Sequence, residues 1–582
     1  MSTVRGNEST FEEATIQRLQ LLGYEYAYGP ELEREPAQVV LLDVLRDSLH
    51  ARYPQLSEAD LTAAIDRITR PSGATTLHRN KAFHTDILTR GFELVVDRPM
   101  LASDAHGGSA PMLTGPVDRE VLHIHPIDWE HPENNRFHVV NQLHIAGPDR
   151  IPDVVVYVNG LPLVVFELKN PWDDSANVDD ALNQIQHYTS LCPQLFQFNA
   201  LCVVSDGNNS LHGMWTSGME WYAPWKSVDG VSNEPGKTGS MATLINGLFR
   251  KDRLLDYVRK FIVFEVNKAG IVKKGAKYHQ FFAVQAAVAR TLTAFQDDNQ
   301  RIGVIWHTTG SGKSLSMAFL VGVLRHHPDL GGPAFVIQVD RTDLDDQLFR
   351  QFSLAEHLVG RAQQASNVDQ LRSLLRTDGS EVIFTTIEKF ALKRDRNGRV
   401  TEIEHPMLSD RSNIIVIADE AHRSQYGFLN GFARYLSEAL PNAKRLGFTG
   451  TPLSFGGVKG SLENSETVNV FGDYIHTYDI RQAQDDGATV AIYYSPRQAK
   501  LHLTAGDIDK ALADAAQQEQ VEGSELESKK SRWAALAELA GAADRTAEVA
   551  QDILAHYLDR SQELSGKAMV VCMTRKNCVR LY

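Results

Sequence analysis

The chain has 582 residues, too many for one hydrophobic core, and about one domain per 100–200 residues gives three or four modules. Apolar residues make up 43% and charged residues 23%, with no low-complexity tract, which excludes a disordered or fibrous chain. The formal net charge of −14 does not exclude a nucleic-acid partner, because capture needs a local basic surface and not a basic whole.

The opening MSTVRGNESTFEEATIQRLQ has no basic start followed by an apolar run, so no secretory signal is expected. No segment offers about 18 uninterrupted apolar residues, so no membrane span is expected either, and the expected location is the cytoplasm. Cys192, Cys202, Cys572 and Cys578 form no C-x-x-C pair, which argues against structural zinc or a disulfide framework and for buried or inert thiols. Residues 11–22 read as a helix, followed by a mixed region to Asn141.

Residues 151–171, IPDVVVYVNGLPLVVFELKNP, read as a β-hairpin. The runs 154–158 and 163–168 are apolar and β-branched, and Asn159-Gly160 between them tolerates positive φ. Asp153 opens the first strand, and Glu167 and Lys169, on one face by alternation, close the second. Phosphodiester hydrolysis needs carboxylates that hold a divalent cation and a cation or base beside the attacking water. Asp153 and Glu167 suit the first task, and Lys169 the second. A plain two-residue turn would place Asp153 opposite Phe166 and scatter the ligands. A three-residue loop 159–161, or a bulge near Pro152 or Pro162, would set Asp153 across from Glu167, and one of these is predicted.

Pro152-Asp153 followed by Glu167-Leu168-Lys169 resembles the PD-(D/E)xK nuclease superfamily. Gln184-Ile185-Gln186-His187-Tyr188 matches the Q-x-x-x-Y element of RecB-like and type I nucleases, its two named residues one helical turn apart. The resemblance implies Mg²⁺ held by Asp153 and Glu167, and Gln184 and Tyr188 orienting the DNA or Lys169. It also allows an extra acidic ligand from the first helix, Glu12 or Glu13.

Lys260, Lys268, Lys273, Lys274 and Lys277 then form a basic stretch, read equally as a DNA-facing strip or a solvated linker face. From about Lys277 apolar strands alternate with helices, the pattern of a parallel sheet covered by helices. A strand over 302–306 leads into His307-Thr308-Thr309-Gly310-Ser311-Gly312-Lys313-Ser314, which opens a helix. Backbone N–H groups of such a loop cradle phosphates, Lys313 neutralises the β/γ charge and the Ser314 hydroxyl holds Mg²⁺. His307 replaces the glycine of the strict motif. The strand 414–418 ends in Asp419-Glu420-Ala421-His422, placing Asp419 to hold Mg²⁺ and Glu420 to polarise the attacking water.

Residues 339–347 (VDRTDLDDQ), 384–390 (FTTIEKF) and 448–452 (FTGTP) resemble segments of superfamily 2 helicases of the type I restriction family. In relatives the first two line the DNA track and the third couples ATP state to motion. Tyr278-His279-Gln280 resembles the glutamine motif, which implies that Gln280 reads the adenine edge. The ATP set is therefore Gln280, Thr309, Gly310, Ser311, Gly312, Lys313 and Ser314, with Asp419 and Glu420.

Residues 471–493 read as a connection to a second lobe, and 507–562 as helices. Val549, Ile553, Leu554, Tyr557 and Leu558 make one apolar stripe behind an Asp544 cap, read as core packing. Residues 567–575 resemble the first strand of a second motor lobe that the sequence leaves largely unrepresented. The arginines that stabilise the transferring phosphate come from that lobe in relatives, so ATP binding with poor turnover is expected.

The order of nuclease and motor resembles the restriction subunits of type I restriction enzymes. The implied fold is α/β: a PD-(D/E)xK domain with a mixed sheet and helices over 1–255, a RecA-like parallel-sheet lobe over 256–480, and a connection, helices and the start of a second lobe over 481–582. The implied cofactors are Mg²⁺ and ATP, with S-adenosylmethionine only through a methyltransferase partner. The implied partners are double-stranded DNA and the methyltransferase and specificity subunits. A RecB-like repair nuclease is the enzymatic alternative, disfavoured because such enzymes carry the nuclease at the C-terminus. A fragment that only binds DNA or the methyltransferase is the non-enzymatic one.

Overall fold

The computed structural model describes the chain except residues 1–7, 100, 104–108, 112–116, 146–150, 174–176, 340–341, 378, 394–399, 403, 423–431, 452–465, 498–542, 564–565 and 573. It divides into two compact units, 1–490 and 491–582.

The predicted hairpin lies in the middle of a mixed seven-stranded sheet. Its order is Glu25–Tyr28, Phe137–Asn141, Val154–Val158, Leu161–Leu168, Leu201–Ser205, Ser210–Gly213 and Ala223–Pro224. Every residue of Val154–Val158 and Leu161–Leu168 is buried, so both strands are apolar on both faces instead of alternating. Leu161–Leu168 and Leu201–Ser205 run parallel, and helix Val178–Leu191 makes the crossover that a parallel pair requires. Its start is fixed by Asn177, whose side chain accepts from the Asp179 and Asp180 amides.

Asn159 (φ 50) and Gly160 (φ 79) close the hairpin as a two-residue turn of the I′ kind. Asn159 Nδ2 donates to Pro126 O at 2.9 Å and the Leu41 backbone amide to Gly160 O at 2.9 Å, tying the turn to its surroundings. A Cβ on Gly160 would stand 2.4 Å from Leu41 O. Gly160→Ala is therefore expected to destabilise this unit by about 1–3 kcal/mol, read as a lower denaturant midpoint.

The second sheet is wholly parallel, in the order Ala362–Gln364, Val382–Thr386, Ala334–Val339, Ile414–Ala418, Lys444–Thr449, Arg301–His307, Tyr474–Tyr478. Tyr474–Tyr478 pairs with the strand that feeds the phosphate loop, so part of the stretch read as a connection belongs to this sheet. The run is short, half aromatic and half-buried, which suits an edge position.

The lysine stretch does not form one continuous face, since Lys268 is exposed while others turn inward or pair. Ile262–Asn267 and Gly270–Gly275 form an antiparallel hairpin whose alternation turns Lys273 inward, fully buried and donating to Asn199 O at 2.6 Å. Lys274 pairs with Glu265 at 2.7 Å and Lys260 with Asp256 at 2.6 Å.

In the second unit, helix Ala543–Glu563 starts one residue ahead of Asp544, which is therefore inside the helix and not its cap. Leu554, Tyr557 and Leu558 are exposed, so the stripe is not core among the described residues. Residues 507–542 of the expected helical region lie outside the described residues. The strand expected over 567–575 is absent from the described 567–572. A strand exists only with a neighbour to complete its ladder, and none pairs there. The last residues instead form helix Arg575–Leu581. Cys192 and Cys202 are buried, Cys572 is half-buried and Cys578 exposed, all four as free thiols. No helix among the described residues is long and apolar enough to cross a membrane.

Candidate functional site

The hairpin register decides whether the first constellation is a site. Val158 pairs with Leu161 and Tyr157 with Pro162, but Val156 pairs with Val164, Val155 with Val165 and Val154 with Phe166. Leu163 is thus the extra residue of a β-bulge beside Pro162, one of the predicted solutions. Proline has no N–H for the ladder, so pairing is weakest there. The shift continues to Asp153 and sets it across from Glu167.

The two carboxylates and the lysine converge at the strand ends. Asp153 Oδ2 accepts from the Leu168 amide at 2.6 Å, and Lys169 Nζ lies 2.8 Å from Glu167 Oε1. Glu167 Oε2 is buried and has no hydrogen-bond partner among the described residues. Burial pushes the Asp153 carboxyl up to about 7, and burial together with the Asp153 charge pushes Glu167 up to about 8. Burial works against the charge of Lys169, but Glu167 and Asp153 outweigh it and hold its pKa above the ordinary value.

A buried, unpartnered Glu167 oxygen across from the Asp153 carboxyl, with both groups resisting ionisation, fits a divalent cation, whose charge would offset both shifts. Among the described residues no group of three or more His, Cys, Asp or Glu side chains is arranged to hold a metal, so water would complete the coordination. Of the two first-helix acids, Glu12 faces inward and Glu13 is exposed. Glu12 accepts from Asn141 Nδ2 at 2.6 Å and Gln142 Nε2 at 3.0 Å, and burial raises its pKa. The Gln142 backbone N–H donates to Asp153 O at 3.3 Å. The sequence signal is present, since Glu12 shares its helix face with buried Thr15, Ile16 and Leu19.

Tyr188 is buried and its hydroxyl donates to Ile151 O at 2.9 Å, two residues before Asp153. Gln184, half-buried one turn earlier, hydrogen-bonds the Tyr188 hydroxyl. This pair braces the backbone that carries Asp153.

Both carboxyl pKa values lie above those of the unfolded chain, so the metal-free folded state holds protons the unfolded state would release. Its stability falls as pH rises from the ordinary carboxylate range through about 7–8. Metal binding must expel those protons and should tighten through the same window. Calorimetric Mg²⁺ titrations are expected to give a dissociation constant that falls between about pH 6 and 9. Glu167→Gln should shrink that trend to the part that Asp153 contributes, while raising the metal-free unfolding temperature at alkaline pH.

The second constellation forms where the carboxyl ends of three adjacent parallel strands, Arg301–His307, Lys444–Thr449 and Ile414–Ala418, meet. Gly310 (φ 88) and Gly312 (φ 86) turn the loop into helix Lys313–Arg325, whose first turn carries Ser314. Lys313 Nζ lies 3.4 Å from His307 O and 3.7 Å from Glu420 Oε1. Asp419 extends its strand by donating to Gln338 O at 2.8 Å, and its Oδ1 accepts from the Glu420 amide at 3.0 Å. Glu420 has φ 46, a left-handed conformation that a side-chain-bearing residue keeps only under external constraint. Its Oε2 lies 3.5 Å from His422 Nδ1 and accepts from the Gly450 amide at 3.4 Å. A Cβ on Gly450 would meet Thr309 Oγ1 at 2.8 Å and Lys313 Nζ at 2.9 Å, so the 448–451 segment closes directly over the loop. Pro452, Asp340 and Arg341 lie outside the described residues.

Gln280 is buried, its Oε1 accepting from the Lys277 amide at 2.8 Å and its Nε2 donating to Gly312 O at 3.1 Å. Its amide is thus engaged at both ends, and in this state it braces the loop. Sequence reading missed the layer behind it. His279 stacks on Tyr478 at 3.8 Å with Nε2 3.0 Å from Ser311 O, and His307 Nε2 lies 2.9 Å from His476 Nδ1. Burial, then His279 and His476, hold His307 well below its ordinary pKa. The departure from glycine at 307 is therefore the strand's last inward residue packing on this layer, which no local motif encodes.

The chain thus carries a cluster of two carboxylates and one lysine at the strand ends of a mixed sheet, and a glycine-rich loop opening a helix at the strand ends of a parallel sheet. Residues 105–217 match the family described as type I restriction enzyme R protein N terminus, and residues 279–525 the SWI2/SNF2 ATPase family. The chain is 39% identical to the type I restriction enzyme HindI endonuclease subunit of Haemophilus influenzae, over 99% of this chain and 54% of that one. It is 33% identical to a Methanocaldococcus jannaschii chain provisionally named type I restriction enzyme MjaIXP endonuclease subunit, over 98% of this chain and 54% of that one. It spans about half the length of these two similar chains.

Proposed function

We propose that the chain is the nuclease and ATP-binding part of a type I restriction subunit, which cleaves both strands of unmodified double-stranded DNA and uses ATP to move along it. The observation that carries this reading is the bulge at Leu163, which puts Asp153 and Glu167 across from one another with Lys169 at 2.8 Å. Mg²⁺ bound there would supply Lewis acidity and a water of lowered pKa. Asp153 and Glu167 hold the ion, Lys169 orients the attacking water and stabilises developing charge, and Tyr188 and Gln184 keep Asp153 in place. At the second site Lys313 and the loop amides take the phosphates, Ser314 and Asp419 hold Mg²⁺, Glu420 orients water, and Gln280 positions the loop and the adenine.

Residues 1–255 form the nuclease domain, 256–480 the first motor lobe, and 481–582 the passage to a second lobe. Target choice rests with a specificity subunit and a methyltransferase, the latter bringing S-adenosylmethionine. The reading places the chain in the cytoplasm, with no membrane partner.

The test is nicking of supercoiled plasmid by the chain in Mg²⁺, with Asp153→Asn as control. Mg²⁺-dependent nicking that disappears in the variant supports the reading, and equal nicking by both proteins would sink it.

A further inference from the structure

Away from both sites, a cavity of about 640 Å³ lies where helix Lys251–Lys260 and the segment around Thr85–Arg90 face the end of helix Lys313–Arg325 and the Glu356–Gly360 turn. Its wall carries Arg90, Arg259, Lys260 and Arg325 against the two acids Glu130 and Glu356, a net positive lining. Arg259 is matched by Glu130 at 2.9 Å and Lys260 by Asp256 at 2.6 Å. Arg90 and Arg325 form no ion pair among the described residues, Arg325 resting on the carbonyls of Val359 and Ser380. Four histidines of the wall are held below their ordinary pKa, by burial first and then by neighbouring cations: Lys273 for His84, His123 and Arg52 for His125, Arg325 and Arg259 for His326, and Lys81 and Arg90 for His357.

Two atoms are also left without partners. His84 is buried and its Nδ1 is unsatisfied, as is His125 Nδ1. His84 Nε2 lies 2.9 Å from Val258 O and therefore carries the proton when the ring is neutral. The Phe264 amide donates to His357 Nε2 at 3.4 Å, so neutral His357 keeps its proton on Nδ1 as a donor. A cation is excluded by the field of the arginines. A single small anion would underfill a space in the usual range for small-molecule sites, about 300–1,000 Å³. Guanidinium forks match phosphate oxygens, and the imidazoles can add donors as they protonate.

We propose that this cavity binds an oligophosphate group, held by Arg90 and Arg325 with His326 and His357 completing the donor set. The group is carried either by a small oligophosphate or by a nucleic-acid backbone, and the experiment separates the two.

The full chain carrying Lys313→Ala, which disables the phosphate loop, is titrated with inorganic tripolyphosphate and with a short blunt duplex. One tripolyphosphate per chain is expected. Its affinity should fall about tenfold for each donor lost in Arg90→Ala and in His326→Gln, as for charge-assisted hydrogen bonds. Arg90→Lys should recover part of the loss, and unchanged unfolding temperatures keep folding defects apart. The imidazole resonances of His326 and His357 should move toward the charged form on binding, a response that a purely structural role would not give. A duplex that displaces tripolyphosphate identifies the backbone as the natural source, and one that does not identifies a small oligophosphate. No tripolyphosphate binding, or an affinity in both variants unchanged from that of the Lys313→Ala chain, overturns the proposal.

Discussion

Lys169→Ala is expected to reduce Mg²⁺-dependent nicking of supercoiled DNA by about 10²–10³-fold, the loss typical when one preorganised charge is removed from a hydrolytic site. Two separable effects make up this loss. Lys169 Nζ lies 2.8 Å from Glu167 Oε1 and is the cation that opposes the upward shift of that carboxyl to about 8. Without it Glu167 ionises at still higher pH and the metal binds less well near neutrality. Raising the pH or the Mg²⁺ concentration should restore that part. The remainder, persisting at saturating metal and alkaline pH, measures the lysine's own action on the attacking water. Initial nicking rates over a grid of pH and Mg²⁺ give both, and a variant that matches the parent rate throughout sinks the assignment.

Lys313→Ala is expected to weaken ATP binding by about 2–5 kcal/mol, a factor of roughly 30 to several thousand, as for truncating one member of a desolvated charge pair. The ammonium lies between His307 O at 3.4 Å and Glu420 Oε1 at 3.7 Å, within the loop whose amides alone would have to hold the phosphates of ATP. Glu420 would lose its nearest cation as well, so the water-orienting carboxylate is disturbed along with binding. Equilibrium titration with ATP and Mg²⁺ reads the effect directly. Parent-like affinity in the variant would mean that another cation holds the β- and γ-phosphates.

Much of the two sites is legible in the chain because the residues that make them are local. The Gly310, Gly312 and Lys313 spacing dictates a loop that opens a helix, and acids at the ends of apolar strands mark Asp153, Glu167, Asp419 and Glu420. What misled was always a question of which neighbour a segment meets. Lys273 reads as one of five lysines on a DNA-facing strip or a solvated linker face, but its hairpin is packed so that it is buried against Asn199. Residues 567–572 have a strand's composition and no partner strand among the described residues. Tyr474–Tyr478 reads as a link and is an edge strand because the backbone of Arg301–His307 offers it a parallel ladder.

The hairpin at 154–168 draws the line between the two kinds of information. Its existence, its Asn159-Gly160 turn and the chemistry of its three polar residues follow from the sequence, because strand alternation and tolerance of positive φ are properties of neighbours along the chain. Its register does not follow. Sequence alone left a longer loop or a bulge at either proline equally open, and the structure places the extra residue at Leu163. There a sheet buried on both faces must keep its valines paired while Pro162 contributes no donor. A one-residue slip would have sent Glu167 to the opposite face from Asp153. Which residues could hold a metal is written in the chain, and that they face one another is decided by the sheet.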